Sequence, residues 1–354
     1  MVYKSTEPIR LEHLLTKPAH SIINQSFDSR LRIDMRRPMN GDGFGVGYYP
    51  QDMDDDEEKS PCVYCGTTPA WNNINLDRLA AKTKSRLVFA HVRASTAGVL
   101  SETNCHPFVY HTLMFMHNGG VSLFPHLKRR MADDIDNKYF FFVQGSTDSE
   151  MCFAVFLDTL DRLGADPSNP EGRFDAGLLT RALIRTIERI KTWTQEAATE
   201  LGQASEPSLL NFAITDGHTV VVSRYISSKT DEAASLYYST GTRFYEYEPG
   251  QYRMERCYRI NNTIMIASEP LTFERADWIS IPTNTILTVR GQTVLFYPIE
   301  DEYYDPTQKR SSDLMVSKGL ASPIVRTGVS HAGVPPLGRE CRTADAVASI
   351  YGSG

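Results

Sequence analysis

The chain has 354 residues, 41% hydrophobic and 23% charged, the balance of a globular protein able to bury a sizeable core. Its formal net charge of −6 gives no electrostatic reason to expect nucleic acid or an anionic membrane as partner. No segment approaches the roughly 18 uninterrupted apolar residues of a membrane-spanning helix, and Lys4, Glu7 and Arg10 interrupt the start, so no signal peptide is expected.

In chain order, MNGDGFGVGYYP (39–50) reads as a turn followed by a glycine-rich strand. It contains G-x-G-x-G but not G-x-G-x-x-G, and no lysine follows, so neither dinucleotide nor P-loop binding is supported. Glycine in such a strand marks close backbone approach or a bulge. The acidic run 51–60 lacks the glycine and closing glutamate of a calcium loop and reads as a solvated loop. Of six cysteines only Cys62 and Cys65 are close together. A lone C-x-x-C is read as two thiols in a polar loop rather than a metal site, and a reduced cytoplasmic protein fits the cysteine usage.

The runs 86–95 and 111–120 are short, apolar and β-favouring, and read as buried strands. A helix follows STDSE, with Thr147 and Glu150 at capping-box spacing and Cys152, Val155, Phe156, Leu160 and Leu163 at helical spacing. A second helix is predicted from about Asp175 to Glu200, with Leu179, Leu183, Ile187 and Ile190 on one stripe. From about residue 208 the pattern turns to strands. A hairpin is predicted around Asp216-Gly217, then strands in NTIMIASEP and in NTILTVRGQTVLFYPI, the last pair turning near Gly291. Strands, helices, then strands, without βαβ alternation, predict an α+β layered domain with largely antiparallel sheets. That domain is expected over 1–306, followed by a loosely packed or partly disordered tail, 307–354, where apolar periodicity fades.

Three clusters could carry chemistry: HVRAST (91–96), HNGG (117–120) and STDSE (146–150). Singly, each has a plain structural reading. Asn-Gly is commonly a turn, Arg93 could be a surface arginine, and a carboxylate at a helix start is favoured by the helix dipole. Together they make a more specific set. Arg93 can grip a carboxylate with two parallel hydrogen bonds. Asp148 can hold an ammonium group. The Asn118 side-chain amide and the Gly119 N–H can serve a developing oxyanion. Such a set suits an α-amino acid whose distal carbonyl is attacked, as in glutamine or any γ-glutamyl amide. There is no G-x-S-x-G, no H-E-x-x-H and no His/Asp metal cluster, so a generic serine or metal hydrolase is not supported and no metal or cofactor is expected.

The ordered set GDGFGVG, HVRAST, HNGG, STDSE and ASEP (267–270) resembles the class II glutamine amidotransferases, which are N-terminal-nucleophile hydrolases. PIRLEHLLTKPAHSIINQSFDSRLR, AHVRASTAGVLSETNCHPF and PSLLNFAITDGHTVVVSRY resemble one branch more specifically, the amidotransferase-like subunit of the fungal glutathione-degradation complex. The resemblance spans about residues 7–305. It implies a four-layer αββα sandwich and hydrolysis of a γ-glutamyl amide, glutamine or glutathione. It also implies a metallopeptidase-like protein partner and a cytoplasmic setting. By position, Arg93 would take the substrate α-carboxylate, Asp148 the α-amine, and Asn118 with Gly119 the oxyanion.

In that family the nucleophile is a cysteine directly after the initiator methionine, because its own α-amine then serves as base. No cysteine lies near Met1, and the chain is read as beginning inside the family's first strand. Three explanations are weighed: a start placed too late, a silent subunit that binds γ-glutamyl ligands or scaffolds a complex, and processing that exposes Ser5 or Thr6. The chain as written is expected to fold, keep much of its pocket and not turn over. Cys105, beside His106, is expected in a loop lining the pocket; the two are not expected to form a dyad, since neighbours in an extended segment point to opposite faces.

Overall fold

The computed structural model describes residues 1–27, 40–50, 59–94, 100–257, 261–318 and 320. Most of the acidic run, Ser95 and Thr96, and the tail from residue 321 lie outside them. The first half runs β1 (Val2–Arg10), α1 (Glu12–Leu15), α2 (Ile22–Phe27), β2 (Phe44–Tyr48), β3 (Cys62–Gly66), α3 (Ile74–Lys82), β4 (Lys84–Val92), β5 (Phe108–Tyr110) and β6 (Leu113–Gly120). Four helices follow: α4 (Phe124–Asp134), α5 (Asn137–Phe140), α6 (Asp148–Arg162) and α7 (Ala176–Leu201). Then come β7 (Leu209–Thr215), β8 (Thr219–Arg224), β9 (Tyr237–Gly241), β10 (Arg243–Glu248), β11 (Gln251–Glu255), β12 (Thr263–Ala267), β13 (Ile279–Ser280), β14 (Thr285–Arg290), β15 (Thr293–Pro298) and α8 (Asp313–Ser317).

The strands form a seven-stranded sheet, ordered β13-β9-β12-β1-β4-β2-β3, a six-stranded sheet, ordered β15-β14-β8-β7-β6-β5, and the separate β10–β11 ribbon. Strand pairing within both sheets is antiparallel. Three apolar layers stack these parts. Val2, Leu87, Phe89, Met114, Val220 and Val222 lie between the two sheets. Phe115, Phe212 and Val221 face α4, α6 and α7 on the other side of the six-stranded sheet. Tyr3, Val88 and Ala90 face α1, α2 and α3 behind the seven-stranded sheet. The order is α, β, β, α. In β8, Val220 and Val222 turn one way and Val221 the other, and all three are buried. A strand covered on both faces reads as the continuous apolar run seen in the sequence.

The helices start where the chemistry of their ends allows. Asp175 accepts the Leu178 N–H, and Gly202 closes α7 at φ 60°. Thr147 accepts the Glu150 N–H to cap α6. Two local readings are corrected. Cys62 and Cys65 lie on strand β3, not in a polar loop, because Cys62-Val-Tyr-Cys-Gly pairs along β2. Leu163 is the residue after α6 and is 39% exposed, outside the buried stripe. Of the segment beyond 306, Met315 is buried against Leu209, Ile226, Ala233 and Ala234.

Candidate active site

A cavity of about 1050 Å³ opens between the ends of the two sheets. Arg93, Asn118, Gly119 and Asp148 all line it, with Met1, His91, His106 and His117. Four elements bring them there. Along β4, Leu87 and Phe89 face the space between the sheets, so His91 and Arg93 continue that face into the cavity. The Arg93 N–H donates to the Gly43 carbonyl at 2.8 Å, and the Arg93 carbonyl accepts the Asp42 N–H at 3.1 Å. The GDG turn therefore anchors the backbone of Arg93, which is buried.

The HNGG motif is the end of β6, paired with the start of β7. Gly119 sits at φ 152°, and a Cβ there would lie 2.0 Å from the Leu209 carbonyl oxygen. Only glycine fits. The same oxygen accepts a hydrogen bond from His117 Nε2 at 2.9 Å. That fixes the tautomer, so Nδ1 accepts from the Ser149 hydroxyl at 3.0 Å. Burial lowers the His117 pKa, and Asp148 opposes the shift, so the ring is neutral at pH 7.

Asp148 begins α6, where the helix dipole favours its charge. Its Oδ2 accepts the Val121 N–H at 2.8 Å, which ties the residue after HNGG to the helix start. The Glu150 carboxylate does not return to Thr147 as a capping box would. It accepts the Gln144 and Gly145 N–H groups at 2.9 and 2.6 Å and so holds the preceding loop.

The fourth element is β1. The Met1 nitrogen donates to the Ala90 carbonyl at 2.8 Å inside the cavity wall. As a free amine it is lowered by burial to about 5, hence neutral at pH 7. Beside it the His91 and His106 rings are 4.4 Å apart, and burial lowers His91 to about 3 and His106 well below its ordinary value. His106 was visible in NCHPF only as a neighbour of Cys105. Cys105 does not line the cavity as expected: His106 does, whereas buried Cys105 turns away, with Sγ 3.7 Å from the Gly66 carbonyl. Gln25, Ser235, Glu269 and Lys318 also line the cavity, from segments with no common local signal. Among the described residues, no group of three or more His, Cys, Asp or Glu is placed to hold a metal ion. No helix among them is long and apolar enough to cross a membrane.

The family profile of the class-II glutamine amidotransferases matches residues 12–311. The chain belongs to the class-II glutamine amidotransferases. This amidotransferase-family chain is similar to a probable glutamine amidotransferase, DUG3, of Saccharomyces cerevisiae. The two are 61% identical over 345 residues, covering 97% of this chain and 96% of that protein. It is also similar to the solved structure of a glutamine aminotransferase class-II domain protein from Silicibacter pomeroyi. There the identity is 23% and the TM-score 0.52, covering 85% of this chain and 98% of that one, a likeness of fold.

Proposed function

We propose that the cavity binds γ-glutamyl amides, glutamine or glutathione, as the substrate site of a γ-glutamyl amide hydrolase. In this reading the chain acts in cytoplasmic glutathione breakdown with a metallopeptidase-like protein subunit. The observation that carries the reading is the convergence of Arg93, Asn118, Gly119 and Asp148 on one cavity beside the end of β1.

Arg93 grips the α-carboxylate by two parallel hydrogen bonds, and Asp148 takes the α-ammonium. With both ends held, the γ-carbonyl lies toward Asn118 and Gly119, whose amide N–H groups stabilise the oxyanion as it forms. The nucleophile is the thiol of an N-terminal cysteine on the line of β1. Its proton passes to its own α-amine and then to the leaving nitrogen, and water opens the resulting thioester. A chain that starts at Met1 binds without turnover, as a silent ligand-binding or scaffolding subunit would. The same chain carrying Met-Cys ahead of β1 hydrolyses the amide.

Titration calorimetry with L-glutamine, N-acetyl-L-glutamine and L-glutamine methyl ester tests the reading. The parent binds, and masking either the amine or the carboxylate abolishes binding. Equal affinity for all three would defeat it.

A further inference from the structure

The six-stranded sheet ends on β15, which pairs with β14 on one side and with no other strand among the described residues. Edge strands are ordinarily guarded by lysine, proline, a bulge or an inward charge. This one has only Pro298, at its very end. TVLFYP carries no charge, and six consecutive pairs with β14 run without a bulge from Thr285↔Pro298 to Arg290↔Thr293. Leu295, Phe296 and Tyr297 are each 40% exposed. The apolar surface continues onto the edge of the other sheet, where Ile279 of β13 is 52% exposed and the Tyr238 ring meets Phe296 at 5.3 Å.

We infer that β15 pairs antiparallel with β15 of a second copy of this chain, joining two six-stranded sheets into one of twelve strands. The hairpin fixes the register. Gly291, at φ 59°, opens a two-residue connection, so the flanking pair Arg290–Thr293 is the hydrogen-bonded kind. Alternation then turns the N–H and C=O of Val294 and Phe296 to the free edge, with Pro298, which has no N–H, at its end. A two-fold axis at Phe296 sets each Phe296 against its counterpart and each Val294 against the other copy's Pro298. Four N–H···O bonds form, two at the central Phe296 pair and one at each of the two outer Val294–Pro298 pairs, where proline has no N–H to give the second.

The same axis brings the hairpin tip of one copy beside residues 300–302 of the other. Arg290 and Glu300 are both exposed, and neither has an ion-pair partner among the described residues. A second copy supplies each with the opposite charge. This charge match, with an apolar strand that matches itself, selects a second copy of the chain over an unrelated partner.

Sedimentation equilibrium on the full chain across the micromolar range tests the pairing. The wild type is dimeric, and Phe296→Lys is monomeric with unchanged circular dichroism. Arg290→Glu weakens the dimer about tenfold, and adding Glu300→Arg restores it. If Phe296→Lys fails to fold, the charge-swapped pair decides. A wild type monomeric throughout, or a dimer indifferent to these changes, overturns the inference.

Discussion

The Leu209 carbonyl oxygen backs Gly119 so closely that a Cβ on Gly119 would stand 2.0 Å from it. That oxygen also holds His117 Nε2 at 2.9 Å. One backbone group thus sets both the glycine turn at the end of β6 and the histidine before it. Gly119→Ala must move β7 or leave φ 152°, and is expected to cost about 3 kcal/mol or more in denaturant unfolding. A loss below about 1 kcal/mol would mean that the strands part easily here.

Ser149 supplies the proton that His117 Nδ1 accepts. Both residues are buried but also line the cavity, so water there can reach the ring nitrogen once the hydroxyl is gone. Ser149→Ala is expected to cost about 1 kcal/mol, the net worth of one hydrogen bond. Ser149→Cys, with a weak donor in the same place, should recover part of it. Equal stability of Ala and wild type would show that the ring nitrogen finds another donor.

How far the sequence disclosed this architecture depends on whether a feature is local. Helix α7 was legible because Asp175, the Leu179–Leu183–Ile187–Ile190 stripe and Gly202 sit within one segment. Helix α6 was half legible. Thr147 caps it, but residues from Ser149 to Leu160 are buried all round, and a helix covered on several sides shows no clean stripe. The β10–β11 ribbon was not legible, since its charged open face hides the alternation of Phe244, Tyr252 and Met254 inward. The cavity lay beyond local pattern. Arg93, Asn118 and Asp148 suggested a γ-glutamyl site as residue types, and family resemblance joined them. His91 stood in HVRAST and His106 beside Cys105, but neither was given a role, because burial, not sequence, removes their charge.

That burial predicts a pH dependence. His91 is lowered to about 3, and His106 and His117 are also lowered, while unfolded histidine titrates near 6.5. Below about pH 6.5 the unfolded chain binds protons at these histidines that the fold refuses, so their contribution to stability is full above that pH and falls below it, while the Met1 amine, lowered from 8.0 to about 5, adds a loss that begins near pH 8. At pH 5 the loss is about 1–2 kcal/mol for His91 alone. Urea unfolding at pH 7 and pH 5 measures it. His106→Gln should make the difference between the two pH values smaller. An unchanged difference would assign the pH dependence to other groups.

Strand register predicts where a nucleophile can act. Val2 pairs with Phe89 and Tyr3 with Val88, so each residue placed ahead of Met1 advances one partner along β4. The first stands opposite His91, the second Val92, the third Arg93. Side chains alternate, and Val2, not Tyr3, faces the space between the sheets. An N-terminal cysteine as the third residue ahead of Met1 is expected to face the cavity and hydrolyse glutamine or glutathione. As the second, it faces the helix layer and does not. Equal rates, read as ammonia or cysteinylglycine released, would refute that geometry.

The most direct test of the central claim is titration calorimetry of L-glutamine and glutathione against the wild type and Arg93→Ala. Binding of at least one ligand to the wild type is predicted, weakened about thirtyfold by Arg93→Ala, roughly 2 kcal/mol, as the α-carboxylate loses its bidentate partner. No binding of either ligand, or an affinity that Arg93→Ala leaves unchanged, would contradict a γ-glutamyl site in this cavity.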